Sequence, residues 1–173
     1  MVSGQWTIVT RREAINKGVP MSSSEPVRDA LEKHLQAILD NDIDAYHATT
    51  VPELTLYEWY VTPHRIDGLS FHDFMMTEAA RPGTSVTALE PAPSAGAPAE
   101  SPRQHFDLAN YREQSYGDAA ICSYTLLIAK GAATGVTVRS HNETRVLVRL
   151  DGIWRVAHVH KSPAWQAPYA PPT

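Results

Sequence analysis

The sequence predicts an α+β fold, with helices first and then a run of long antiparallel strands that curl as a cone around the longest helix. Three observations carry this prediction. Val27, Leu31, Leu35, Ile38 and Leu39 recur at helical spacing. From His105 onward, long segments alternate apolar and polar residues with the period of a strand. The two patterns follow one another instead of interleaving, which argues against a parallel sheet built from βαβ units.

Residues 1–22 read as an extension. "TIVTRREAINKG" lacks the apolar run of a secretory signal, and Met21 opens "MSSSEPVRDALEKHL", a natural start for a folded unit. The domain is expected over 23–163. Ser24 suits a helix N-cap, with Glu25 and Pro26 in the first turn. "NDIDAY" ends this helix and starts a short second one through Tyr46. "LTLYEW" reads as a strand and "IDG" as a turn. "SFHDFMMTEAA" opens on a Ser-x-x-Asp cap and predicts a helix over 70–80.

Residues 82–102 form an insert rich in proline and small residues, expected to be a mobile lid. Strands are expected at His105–Tyr116, Ala119–Lys130, Val136–Leu150 and Ile153–Lys161, with "GD" and "GAATG" marking turns. Residues 164–173, "AWQAPYAPPT", form a Pro-rich aromatic tail.

The last two strands make a hairpin, "HNETRVLVRLDGIWRVAHVHKSP". Asp151-Gly152 is a two-residue turn whose members both tolerate positive φ. A regular ladder from that turn sets Leu147 against Val156, Arg145 against His158 and Glu143 against His160, all on one face. That face is apolar near the turn and polar at its far end, as a pocket mouth above a core would be. The other face carries Val146, Val148, Ile153 and Val159. It is more apolar than a solvated sheet and predicts a sheet-to-sheet homodimer, with larger rings possible.

Arg145 in mid-strand is costly to bury unpaired, and its planar fork suits a carboxylate. Beside it, His158 would be a neutral base near pH 7. Glu58 follows an apolar strand and is a second candidate base. Tyr46 and Tyr124 could offer hydroxyls. "HVH" puts two histidines on one face without a third ligand at clear spacing, so neither a metal nor another cofactor is expected.

Composition sets bounds. With 43% apolar and 20% charged residues the chain reads as one globular domain. A net charge of -4 and the lack of a Lys/Arg run argue against nucleic acid as a partner. Cys122, the one cysteine, allows no intrachain disulfide. No apolar stretch is long enough for a membrane span, and a cytoplasmic location is expected.

"LTLYEW", "IDGLSFHDF", "GDAAICSY" and "NETRVLVRLDGIWRVAHVHKS" together resemble the association domain of calcium/calmodulin-dependent protein kinase II. That family lies within the nuclear-transport-factor-2-like (SnoaL-like) superfamily of cone-shaped folds. The chain lacks the Gly-rich loop and catalytic motif of a kinase and is expected to be a stand-alone relative. The resemblance implies self-assembly and a pocket beside the long helix that binds small carboxylates. It places the family's pocket histidine on His72 and two of its basic residues on Arg145 and Lys161. Leu126 stands where the family has a further arginine, which implies an apolar wall and a ligand with an apolar body. The regular hairpin register puts Lys161 on the face opposite Arg145, and only a bulge would reconcile the two.

Two functions follow as expectations. One is an oligomeric domain binding a small organic acid in an enclosed cavity lined by His72, Arg145, Lys161, Tyr46, Tyr124 and Leu126. The other is a cofactor-independent isomerase or cyclase, with His158 or Glu58 as base and Arg145 with a tyrosine holding an enolate oxygen.

Overall fold

The structure, a computed structural model, describes residues 26–79, 104–132 and 135–164. The extension 1–22, the Ser24 cap, the insert 82–102 and residues 165–173 of the tail lie outside the described residues. The order of elements is α1 (Val27–Asp40), α2 (Ile43–Ala48), β1 (Thr50–Glu58), β2 (Ile66–Asp67), α3 (Ser70–Ala79), β3 (Gln104–Tyr116), β4 (Ala119–Ala132), β5 (Gly135–Leu150) and β6 (Ile153–Pro163). Helices therefore precede the long strands, and each of β3 to β6 begins and ends within two residues of its expected limits, whereas β1 begins four residues before "LTLYEW" and Ile66–Asp67, expected as a turn, is a short strand.

α1 starts two residues later than the reading that put Glu25-Pro26 in its first turn. Pro26 sits just outside it with extended ψ of 143°, and its carbonyl accepts the first helical bond from Ala30. Asn41 ends the helix in the left-handed region at φ 56°, which turns the chain and lets the Asp42 N–H close back on Ala37. Asp42 then caps α2, its carboxylate accepting the Ala45 N–H at 2.9 Å.

The six strands form one sheet in the order β2-β1-β6-β5-β4-β3. β3 to β6 are an antiparallel meander, as expected. β1 departs from it by pairing with β6 in parallel. The turn at Asp151-Gly152 has φ of 53° and 83°, the two positive values a tight hairpin requires. Leu150 faces Ile153, Arg149 faces Trp154 and Leu147 faces Val156, as the regular ladder predicts.

The ladder then breaks. Beyond Leu147, Val146 faces His158, Arg145 faces Val159 and Glu143 faces Lys161. Ala157 is the extra residue of a β-bulge, so every later side chain of β6 changes face. Val159 and Lys161 turn inward, and His158 and His160 turn outward. This corrects the expected pairing of Arg145 with His158 and removes Val159 from the outer face.

Inward-facing residues align in rows across the strands. Nearest the turn, Ala120, Leu147 and Val156 are fully buried and pack with Leu31 and Leu35 of α1. The next row is Cys122, Arg145, Val159 and Leu56. The third is Tyr124, Glu143, Lys161 and Glu58. The inner face thus grades from apolar to charged along the hairpin. No described helix is long and apolar enough to cross a membrane.

Candidate functional site: the polar mouth of the cone

The third row and its neighbours form a buried polar cluster. Arg145 and Glu143 are 1% and 3% exposed, Glu58 2% and Lys161 9%. Arg145 Nε donates to Tyr124 Oη and to Glu143 Oε2, both at 2.9 Å. Tyr124 gives its own proton to Glu143 Oε2 at 2.7 Å. His141 Nε2 lies 2.8 Å from the other Glu143 oxygen. Burial alone would raise the Glu143 carboxyl, but Arg145 and His141 hold it well below the usual range.

His34, from the apolar face of α1, completes the Arg145 site. Its tautomer follows from its neighbours. Thr49 and Thr50 spend their hydroxyl protons on the carbonyls of Ala45 and Tyr46. They can therefore only accept from His34 Nδ1, which lies 3.1 and 3.2 Å away. Nδ1 carries the proton, and Nε2 accepts from Arg145 Nη1 at 2.5 Å. Burial, reinforced by the Arg145 charge, holds this imidazole well below its ordinary value and neutral. Among the described residues, the hydrogen bonds of Arg145 come from Nε and Nη1.

The second half of the cluster centres on Glu58. Lys161 Nζ stands 2.8 Å from its Oε1. That oxygen has no donor in hydrogen-bonding direction, so the contact is an ion pair without a directed bond. Burial would raise the Glu58 carboxyl, but the Lys161 ammonium, with His72 and Tyr60 beside it, brings it down to about 2. His72 Nε2 lies 3.9 Å from Oε2, and its Nδ1 is hydrogen-bonded to Tyr46 Oη. Since Nε2–H faces an ionised carboxylate, Nδ1 is the acceptor and Tyr46 the donor. Burial lowers the His72 imidazole below its ordinary 6.5, despite the opposing pull of Glu58.

The bulge resolves the sequence conflict over Lys161, which joins Arg145 on the inner face. His72, Arg145, Lys161, Tyr46, Tyr124 and Glu58 all meet at the cluster, and Leu126 lies buried in the row beyond Tyr124. His158 does not. It lies on the outer face, 2.8 Å from Thr55 Oγ1 and edge-on to Tyr57. Its expected role as a base beside Arg145 is therefore corrected. Glu58 is inside but is a poor base. A carboxylate held near 2 by an ammonium has little affinity for a carbon-bound proton.

Sequence reasoning missed His34, Thr50, Tyr60 and His141. For His34 a signal existed, because it occupies a core position of the α1 stripe between Leu31 and Leu35. The described residues also leave an open groove on the exposed side of α1, lined by Asp29, Glu32, Lys33, Gln36 and Phe106. It is separate from the cluster. Among the described residues no group of three His, Cys, Asp or Glu is placed to hold a metal ion.

Comparison with known proteins bears on family and fold. The family model of the calcium/calmodulin dependent protein kinase II association domain matches residues 24–91 and 99–165. Calcium/calmodulin-dependent protein kinase type II subunit delta of Oryctolagus cuniculus is 26% identical over 144 residues. The match takes in 82% of this chain and 24% of that protein, so the chain spans about a quarter of its curated relative. The hub homology domain of the Chlamydamonas reinhardtii kinase superposes with a TM-score of 0.65 at 26% identity, over 80% of this chain and 96% of that one. A nuclear transport factor 2-like protein from Salmonella enterica shares the fold, with a TM-score of 0.55 at 16% identity, covering 80% of this chain and 89% of the other.

Proposed function

This chain belongs to the calcium/calmodulin dependent protein kinase II association domain family, and from that premise we propose that it is a self-assembling domain whose polar mouth holds a small organic acid. The observation that carries the reading is the burial of two permanent cations, Arg145 and Lys161, in the same end of the cone. Stability alone does not call for them, because apolar groups of the same volume would serve a core as well or better. Arg145 Nη2 and Lys161 Nζ take the acid's carboxylate, with His72 and Tyr46 beside it. Leu126 supports the apolar body of the ligand. Room for the acid is made as these side chains separate around the guest.

Self-assembly uses the outer sheet face, where Ile121, Val146 and Val148 stand in line with the exposed Leu150 and Ile153 at the turn. A second copy of the chain covers this face in a homodimer, from which larger rings can grow. A cytoplasmic location is part of the same reading.

The test is calorimetric titration with acetate, hexanoate and phenylacetate, alongside light scattering at micromolar concentration. Phenylacetate should bind most tightly. Arg145→Lys, which keeps the charge but loses the fork, should weaken binding by about tenfold. Equal affinity in that variant would remove Arg145 from the site, and a monodisperse monomer would refute assembly.

A further inference from the structure

The proposed acid site, on which this inference rests, carries no net charge from its fixed ionic groups. Arg145 and Lys161 are balanced by Glu143 and Glu58, each cation touching one carboxylate. An ionised acid entering the mouth therefore adds an uncompensated negative charge to a buried, neutral set. Such a charge is expensive unless a partner appears with it. We infer that binding of a carboxylate at the mouth takes up one proton, and that His72 is the group that receives it.

The geometry singles out His72 among the imidazoles. His34 has both ring nitrogens committed, Nδ1–H to the threonines and Nε2 to Arg145, so protonating it would break the Arg145 contact. His141 is bound to Glu143 Oε1, the carboxylate already balanced by Arg145, and touches neither partner of the Lys161 pair. His72, unlike the fully buried His34, keeps 13% of its side chain exposed, which gives a proton access from solvent. Its Nδ1 is engaged only by a hydroxyl, which can reverse. Once Nδ1 is protonated it donates to Tyr46 Oη, and the Tyr46 O–H is released to point at the incoming carboxylate. One proton thus creates one charge and one donor for the acid.

The groups acting on His72 come from every element around it. Tyr46 lies on α2, His34 on α1, Glu58 on β1, Arg145 on β5 and Lys161 on β6. Without ligand, burial and the two cations keep the imidazole below 6.5 against the pull of Glu58. A bound carboxylate sides with Glu58 and moves it up. Between the empty and the bound value, each binding event takes up a proton, and affinity falls as pH rises by close to tenfold per pH unit. Below that window His72 is already charged and no proton is taken up. Above it the acid meets a neutral ring and binds weakly, without pH dependence.

The experiment is calorimetric titration of the full chain with phenylacetate, in two buffers of different ionisation heat at the same pH inside the window. In the wild type the difference in heat should correspond to nearly one proton per ligand. His72→Asn should bind more weakly and take up none. Glu58→Gln already leaves the site one positive charge in excess, so it should bind more tightly than wild type, again with no uptake. Saturable binding whose heat is the same in both buffers would overturn the inference while leaving the acid site standing. Uptake that survives in His72→Asn, or that disappears instead in His141→Asn, would overturn it by assigning the proton elsewhere. No saturable heat with acetate, hexanoate or phenylacetate would refute the acid site and this inference together.

Discussion

The two ends of the cone's inner face are built by the same four strands and held together in different ways. At the narrow end Ala120, Leu147 and Val156 meet Leu31 and Leu35 through non-directional burial. At the wide end Tyr124, Glu143 and Arg145, with His34 behind them, are held by hydrogen bonds, and Lys161 and Glu58 by an ion pair. A side chain in the first region can be exchanged for another of similar volume. In the second, each group is present because another needs it, so loss of one leaves its partner exposed to the full cost of burial.

The sharpest test removes one partner. Arg145→Ala leaves Glu143 charged and buried, and should cost about 3–5 kcal/mol by urea denaturation at neutral pH. The loss should shrink as pH is lowered, because burial then raises the Glu143 carboxyl and protonation relieves it. Arg145→Met combined with Glu143→Leu should recover most of the stability. A single substitution as mild as the double would mean that the two groups are solvated.

At the narrow end, Leu147→Ala should cost roughly 2–5 kcal/mol through lost burial and the cavity left behind. Here the same loss should be measured at pH 5 and at pH 7. A pH-dependent loss would erase the distinction between the ends.

A third test titrates the wide end in the intact protein. His34 and His72 are held below 6.5 in the folded chain, so the unfolded chain binds protons first as pH falls. Stability is fully present above 6.5 and declines as pH falls through and below that value. Glu58, at about 2 when folded against an ordinary 4.5, adds a further decline from 4.5 downward. Thermal melts should therefore begin to fall below pH 6.5, before any carboxylate titrates. His34→Gln can accept from Arg145 and donate to the threonines, and it should flatten the upper part of that curve.

The smallest effect concerns the outer face. Thr55→Val removes the bond to His158 and should cost about 0.5–1.5 kcal/mol. Phenylacetate binding should be unchanged in His158→Asn. A strong loss of binding there would return His158 to the site.

What the sequence disclosed follows from how local each signal is. The Asp151-Gly152 turn, the register next to it and the α1 stripe are set by neighbouring residues, and all three were legible. The bulge was not. "RVAHVH" alternates without interruption, and Ala157 is small enough to sit on either face, so nothing local marks it as the extra residue. The side on which Lys161, Val159 and His158 fall depends on that one residue. The parallel pairing of β1 with β6 was equally hidden, because neither strand carries a mark of its distant neighbour. His34 was visible as a polar residue in an apolar stripe, but its partner Arg145 lies 111 residues away.

That parallel pairing also bears on how the molecule comes together. β3 to β6 can zip up through successive hairpins, each closing a short loop. α1, α2 and β1 must instead wait for β6, to which Thr55 and His158 are joined across 103 residues. The charged joints between these two parts are Glu58 with Lys161 and His34 with Arg145, so the charged mouth is one stretch of the seam along which they dock. A high share of such distant contacts makes for slow folding, on the scale of milliseconds to seconds. On this route the ions of the mouth remain hydrated until the final docking step, and the expense of drying them falls on the last barrier, not on the early collapse.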